Sequence, residues 1–277
     1  MIARTLEPPY LIEVPIYLLL KKTVAQLVLI ILLFSWTQVD AQSTYLDSLK
    51  QVWPSQHGEQ QIKTLCDLCW ELGFQNPQEA AEFGRKAVTK ATELGDSALV
   101  AQAANDLSAV IFRLGDYRTA LALNRRALAI RRSSGDPRAI GSSLSKIGLV
   151  LYEQTLLDSA AHYQLAALRM FEEAGDSNAI GQTYSNLSNV FEKFGSFDVA
   201  IDYSMKSYDL FQKVHYPYGE AGACGNLANL HDKTGDYSAS IEWSQKALAL
   251  FTAIDSKIDI ANMHNNLGYY WRKQGNL

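Results

Sequence analysis

The sequence predicts an all-α fold, a solenoid built by stacking antiparallel helical hairpins, and three observations carry that prediction. A phrase recurs every forty residues: Gly115-Asp-Tyr-Arg-Thr-Ala120, Thr155-Leu-Leu-Asp-Ser-Ala160, Gly195-Ser-Phe-Asp-Val-Ala200 and Gly235-Asp-Tyr-Ser-Ala-Ser240. A second set of markers keeps the same step: Gly95-Asp96, Gly135-Asp136 and Gly175-Asp176, with His215-Tyr216 and Asp255-Ser256 in the matching places. Between these turns lie stretches long enough for helices of about four turns, free of internal proline and apolar at helical spacing. An internal period of this length marks a repeat array, which grows by stacking and needs no single central core.

The first segment stands outside the array. Lys21 and Lys22 precede an apolar run from Val24 to Phe34, and Ser35-Trp-Thr-Gln-Val-Asp-Ala41 follows, with Val39 and Ala41 at the small-residue positions of a signal-peptidase site. Residues 1–41 are therefore expected to be an N-terminal extension and signal peptide, cleaved between Ala41 and Gln42. The run falls short of the roughly 20 residues of a membrane span, so an uncleaved anchor is the alternative. Residues 42–57 are expected to form a leader helix, centred on Ser43 to Trp53.

The array is expected over 58–277. The turns between hairpins carry stop and start chemistry: Gly135 can take the left-handed conformation after one helix, Asp136 can cap the next, and Pro137 suits its first position. Asp96 and Asp176 have the same capping role. In the first helix of each unit Leu107, Ile147, Leu187, Leu227 and Leu267 are each followed by a small residue. In the second helix Ala80, Ala120, Ala160, Ala200 and Ser240 recur, and seven residues on come Ala87, Ala127, Ala167, Ser207 and Ala247. Small residues seven apart share nearly one helix face, which lets paired helices approach closely.

These large-small pairs and paired alanines resemble the tetratricopeptide repeat, in the forty-residue, long-helix variety of kinesin light chains and bacterial sensor proteins. The resemblance covers about residues 58 to 277 and implies a right-handed superhelix whose first helices line a concave groove. Departures are Thr155 for a turn glycine, serine at 207 and 240, and a first copy one residue short around Phe74-Gln-Asn-Pro77. At the far end the phase calls for a further second helix near residue 280, yet the chain stops at Leu277, so about five repeats and the first helix of a sixth are expected, with the natural polypeptide continuing.

Chemistry is sparse. The net charge of −4 argues against nucleic acid as a partner. The five histidines show no metal-ligand spacing, and no phosphate-binding glycine motif occurs. Cys66, Cys69 and Cys224 read as small packing residues, since Cys69 falls where later repeats carry Ser108, Gly148 and Ser188. Gly219, Gly222 and Gly225 read as one close helix contact, and Val214-His-Tyr-Pro-Tyr218 as a repacked turn. Arg131 and Arg132 fall in a last helical turn, where cations offset the helix dipole, and Arg125 and Arg126 read as a solvated face. No cofactor, metal or catalytic group is expected.

The candidate site is a ladder of amides. Asn186, Asn226 and Asn266 stand one period apart on successive first helices, Asn189 and Asn229 stand three residues further on, and Asn262 and Asn265 extend the same polar face, with Gln182, Glu192 and Lys193. Residues at i and i+3 of a helix are neighbours. An asparagine amide offers an acceptor and two donors, which suits the backbone of an extended peptide. Two helix layers of 8 to 10 Å put successive rungs roughly 20 Å apart, about six residues of strand. The same residues also suit helix-surface or helix-bridging roles. The expected function is an exported scaffold, periplasmic or extracellular, that binds a protein or peptide in the concave groove without catalysis. The alternative is the extracytoplasmic sensory region of a longer membrane signalling protein, a histidine kinase or transcription regulator. Membrane contact is expected only through an uncleaved signal or a C-terminal segment beyond Leu277.

Overall fold

The computed structural model describes residues 45–275. The expected signal segment and its cleavage site lie outside them. The chain divides at Ser55 into two compact units. In the described part of the first, helix α1 (45–52) runs into a short 3-10 turn, Trp53–Ser55, closed by the Ser55 hydroxyl donating to the Val52 carbonyl at 2.9 Å.

The second unit is a run of helices: α2 (Gly58–Leu72), α3 (Pro77–Leu94), α4 (Ser97–Arg113), α5 (Tyr117–Ser134), α6 (Pro137–Glu153), α7 (Leu157–Ala174), α8 (Ser177–Lys193), α9 (Phe197–Lys213), α10 (Pro217–Thr234), α11 (Tyr237–Ala253) and α12 (Lys257–Gln274). Each even-numbered helix packs most extensively on the odd-numbered helix after it, and each odd-numbered helix then packs on the next hairpin. This is an all-α solenoid of helical hairpins.

The helix ends form as their side chains dictate. Asp96, Asp116, Asp176 and Asp236 each accept the backbone N–H three residues on, at 3.0–3.1 Å, while Asp136 accepts from Arg138 N and Pro137 opens α6. These caps meet donors that a helix leaves unpaired. Gly135 takes φ 72°, and the three non-glycine residues at the same two turn positions, Thr155, His215 and Asp255, are held at φ 54–60°. Left-handed backbone costs a side-chain-bearing residue about 1–2 kcal/mol, so the turn geometry is imposed by packing on both sides. The 214–218 segment keeps that geometry: Tyr216 packs edge-on against Phe211 at 5.4 Å and Tyr218 against Phe251 at 5.9 Å.

The small-residue columns are the seams. Ala80, Ala120, Ala160, Ala200, Ser240, Ala87, Ala127, Ala167, Ser207 and Ala247 are all fully buried. Where serine replaces alanine its hydroxyl is satisfied nearby: Ser207 donates to the Gly181 carbonyl at 2.9 Å and Ser240 to the Asp236 carbonyl at 3.0 Å. Another column also lies within the hairpins. Residues 131, 171, 211 and 251 are Arg, Phe, Phe and Phe, and they meet positions 101, 141, 181 and 221, which are Ala, Gly, Gly and Ala. A Cβ built on Gly141 would lie 2.8 Å from the Phe171 ring, and one on Gly181 would lie 2.6 Å from the Phe211 ring. Burying each Phe contributes roughly 1.5–3 kcal/mol; at 141 and 181 a glycine gives the ring room, whereas Phe251 packs in one cluster with Ala221.

Two sequence readings need correction here. The glycine triplet in α10 is not one contact: at Gly219 a Cβ would meet Phe211 at 2.8 Å, at Gly225 it would sit in ordinary contact, and at Gly222 nothing lies within 4 Å. Arg131 is more than a cation in a last turn. It is 9% exposed and donates to Ser143 Oγ at 2.9 Å and to the Ala139 carbonyl at 3.2 Å, standing where later repeats place phenylalanine.

The two kinds of glycine should respond oppositely to alanine. Gly181→Ala is expected to lower stability by about 1–3 kcal/mol through overpacking against Phe211. Gly222→Ala is expected to raise it by up to about 1 kcal/mol through helix propensity. Thermal melts followed by circular dichroism compare the two directly.

Candidate functional site

First helices of neighbouring hairpins touch one another, α2 with α4, α6 with α8 and α8 with α10, whereas no pair of second helices makes a comparable contact. A recurring bond across 41 residues shows how the first helices join. Lys146 Nζ donates to the Asn105 carbonyl at 3.4 Å, Asn186 Nδ2 to Ser145 Oγ at 3.4 Å, Lys193 Nζ to the Tyr152 carbonyl at 3.3 Å and Tyr270 Oη to Asn229 Oδ1 at 2.8 Å. Successive rungs of the amide ladder are therefore separated by about one helix diameter, roughly 10–12 Å, and not by two layers. One step spans about three residues of strand, where the sequence estimate gave six.

The ladder residues divide by what they bond. Asn186 is buried, accepts from Gln182 Nε2 at 3.5 Å and reaches Ser145, so it is engaged at the α6–α8 junction. Asn229 is exposed and engaged by Tyr270. Asn189, Asn226 and Asn266 are half-buried, Asn262 and Asn265 are exposed, and none of the five has a side-chain hydrogen bond among the described residues. Lys193 lies 4.2 Å over the Tyr152 ring, which fixes it against the preceding helix.

Followed toward the N-terminus, the ladder column of 266, 226 and 186 continues through Lys146 and Asp106. Sequence reading missed these two because it searched for asparagine; the same step of forty finds them. With Cys66 they form a polar cluster at the floor between α2, α4 and α6. Gln102 Nε2 donates to both Asp106 oxygens, at 3.0 and 2.9 Å, and the Cys66 thiol donates to the same carboxylate. Arg131 Nη2 donates to Gln102 Oε1 at 3.4 Å. Burial pushes the Asp106 carboxyl above the usual range, against the pull of Gln102, Lys146 and Arg131. Burial likewise lowers Lys146 to about 8, with Asp106 opposing the shift and the Arg131 and Arg113 charges adding to it. Among the described residues Lys146 has no ion pair within 4.0 Å.

Cavities follow this floor. One of about 440 Å³ lies between α2 and α4, lined by Cys66, Trp70, Gln102 and Asp106; Gln102 also borders one of about 670 Å³ beside Arg131 and Asp136. A pocket of about 200 Å³ between α4 and α6 and one of about 290 Å³ between α6 and α8 share Lys146 and Leu149. The arrangement can bind extended polar chains. Its thiols are not activated: burial pushes Cys69 and Cys224 up to about 12 and Cys66 also upward. Among the described residues no group of three or more His, Cys, Asp or Glu side chains is placed to hold a metal ion, and no helix is long and apolar enough to cross a membrane.

Comparison with known proteins places this geometry. Family models described as tetratricopeptide repeat match residues 100–134, 140–213 and 221–252, together just over half of the chain. No curated protein matches in sequence. Among solved structures the chain is similar to BtubC (BKLC) from P. vanneervenii, at 16% identity and TM-score 0.64, over 79% of this chain and 91% of that one. It is similar to a Signal Transduction ATPase with Numerous Domains from Pyrococcus horikoshii that carries a tetratricopeptide-repeat sensor, at 16% identity and TM-score 0.69, over 87% of this chain and 38% of that one. It is also similar to the Rap conjugation gene regulator of plasmid pLS20, solved in complex with the Phr* peptide, at 18% identity and TM-score 0.65, over 76% of this chain and 60% of that one.

The half-buried Lys146 ammonium makes a pH-dependent prediction. With its folded pKa lowered to about 8 from 10.5, Lys146 holds its proton more tightly in the unfolded chain, so its cost is full below about pH 8 and gone above 10.5. Lys146→Met is expected to stabilise the protein by on the order of 2 kcal/mol near neutral pH, with the gain shrinking as pH rises through that window. Denaturation of both proteins across the alkaline range measures it.

Proposed function

This chain is a tetratricopeptide-repeat protein, and from that premise we propose that it is a non-catalytic scaffold which binds a peptide or an extended protein segment along its first-helix face. The observation that carries the proposal is the row of amides without internal partners, Asn189, Asn226, Asn262, Asn265 and Asn266, on first helices that lie side by side. A bound backbone supplies both the donors and the acceptors those amides lack. Five net hydrogen bonds contribute about 5 kcal/mol and micromolar affinity needs about 8, so side-chain cavities along the same face supply the remainder and the selectivity. The structure solved with the Phr* peptide shares this fold and supports a peptide as the class of ligand.

The proposed compartment is periplasmic or extracellular, on the strength of Lys21-Lys22, the apolar run and Val39-Asp-Ala41. A second reading, the sensory region of a longer membrane signalling protein, draws support from the likeness to an array that serves as the sensor of a larger ATPase.

Peptides selected by display on the full chain provide the test. Asn189→Ala combined with Asn226→Ala is expected to weaken their binding by about 2 kcal/mol, roughly thirty-fold, with little change in melting temperature. Undiminished affinity would overturn the amide ladder. For export, mass spectrometry of the secreted chain is expected to find Gln42 as the first residue, and a mature chain retaining Lys21 would contradict cleavage.

A further inference from the structure

The first repeat is one residue short around Phe74-Gln-Asn-Pro77, and its turn holds a side chain of the second hairpin. Phe74 is 76% exposed, and the Arg113 guanidinium lies 3.8 Å from its ring centre and 5.9 Å from that of Trp70. Gly73 permits the approach, since a Cβ there would stand 2.8 Å from Arg113 Nη1. A guanidinium stacked on a ring keeps its in-plane N–H groups for an acceptor. None of them is used: among the described residues the Arg113 side chain has neither a hydrogen bond nor a carboxylate within 4.0 Å.

Arg113 is also a wall of the pocket of about 200 Å³ between α4 and α6, and Lys146 lines the same pocket with Ala109, Phe112, Leu149 and Val150. Both Ala109 and Leu149 are first-helix residues that retain solvent exposure, so the pocket opens on the face that carries the amide ladder. Lys146 bonds only the Asn105 carbonyl, at 3.4 Å, which leaves ammonium protons to donate. Asp106 favours its charge from beyond ion-pair distance, with its own oxygens taken up by Gln102 and Cys66, while Arg113 and Arg131 oppose it. On the side of α8 the adjoining residues Gln182, Thr183 and Asn186 are neutral. Two cations therefore share one accessible pocket with no anion paired to either.

We propose that this pocket is a subsite for an acidic side chain, that of a glutamate in the bound peptide, taken by Arg113 and Lys146; the assignment rests on reading the first-helix face as the peptide site. A carboxylate accepts only and has two oxygens, so it can answer a planar guanidinium edge and an ammonium together. A carboxamide supplies one acceptor and no charge, and an aliphatic side chain supplies neither. The two methylenes of glutamate find apolar walls in Phe112, Leu149 and Val150. A volume of about 150 Å³ is known to hold a six-membered ring, so one such side chain fits. Phe74 is a positioning residue here: it holds the guanidinium flat against its ring and needs no contact with the ligand. Cavities on the same face lie to either side, along α2 and along α8, so the bound chain can run on in both directions and an internal side chain suits the pocket.

Titration of the full chain with N-acetyl-glutamate N-methylamide at low ionic strength, followed by NMR, tests the subsite without a peptide. Its glutamine and norleucine counterparts, and N-acetyl-norleucine with a free terminal carboxylate, serve as comparisons. The glutamate probe is expected to shift the Val150 methyl and Arg113 Nε–H signals saturably, at least tenfold more tightly than the other three. Its affinity is expected to fall as pH rises through about 8, where Lys146 loses the charge that the carboxylate needs. Binding should be lost in Lys146→Met, although that chain melts at or above the parent temperature. Phe74→Ala should weaken it at least threefold with helicity unchanged, and Phe74→Tyr should restore it. Asn226→Ala should leave it intact. A glutamine probe that binds as tightly, or glutamate binding undiminished in Lys146→Met, would overturn the proposal, and equal binding of the terminal carboxylate would overturn the choice of a side chain. If selected peptides need Asn189 and Asn226 while the glutamate probe shifts nothing, the subsite alone fails; if the probe binds and no peptide competes with it, the peptide face fails.

Discussion

Each joint of this solenoid has to be complete by itself, because no central core exists to absorb a poor fit. That constraint appears most plainly inside the hairpins, where the Phe171 and Phe211 rings seat on Gly141 and Gly181 at distances that leave no space for a Cβ, and at Gly219, where the same Phe211 ring meets the next hairpin. The alanine and serine columns within each hairpin do the same for the paired helices, and all are fully buried. Close seams on both sides then fix the turns, holding Thr155, His215 and Asp255 in left-handed backbone that they would not choose alone. Stability in such an array is a sum of neighbouring interfaces, so one atypical joint is felt locally.

The atypical joint lies between the second and third hairpins. There Arg131 replaces the ring, Lys146 and Asp106 are half-buried, and the side-chain oxygens of Asn105 and Asn124 are left unpaired. Each of these departures costs stability, and all but Asn105 line the cavities beside α4 and α6. Groups that weaken a fold while shaping an accessible pocket are characteristic of binding sites, which trade stability for recognition. Nearer the C-terminus the first-helix face changes character: neutral amides at Asn189, Asn226 and Asn266 replace the charged cluster. A chain laid along this face meets one charged, pocketed half and one neutral half.

The forty-residue step made the hairpins, their caps and the small-residue seams legible in the sequence, because each depends on residues close in the chain. Asp136 and Pro137 begin a helix whatever lies across from them. What a first-helix residue faces depends instead on the neighbour 41 positions back. Asn186 and Asn226 are identical in the sequence, yet Ser145 engages the first, while nothing does so for the second among the described residues. Gly222 and Gly219 look alike for the same reason and meet different surroundings. Tracing the ladder column back to Lys146 and Asp106 needed no structure, only a search by phase in place of residue type.

The central claim is that the period directs binding to one face, and photo-crosslinking tests it most directly. A display-selected peptide carrying a benzophenone, bound to the full chain, is predicted to label the first-helix column of Ala109, Leu149, Asn189, Asn229 and Tyr269, with adducts stepping by forty residues as the photophore moves along the peptide. Adducts concentrated on exposed second-helix positions such as Arg125, Arg169 and Asp209 would contradict the account.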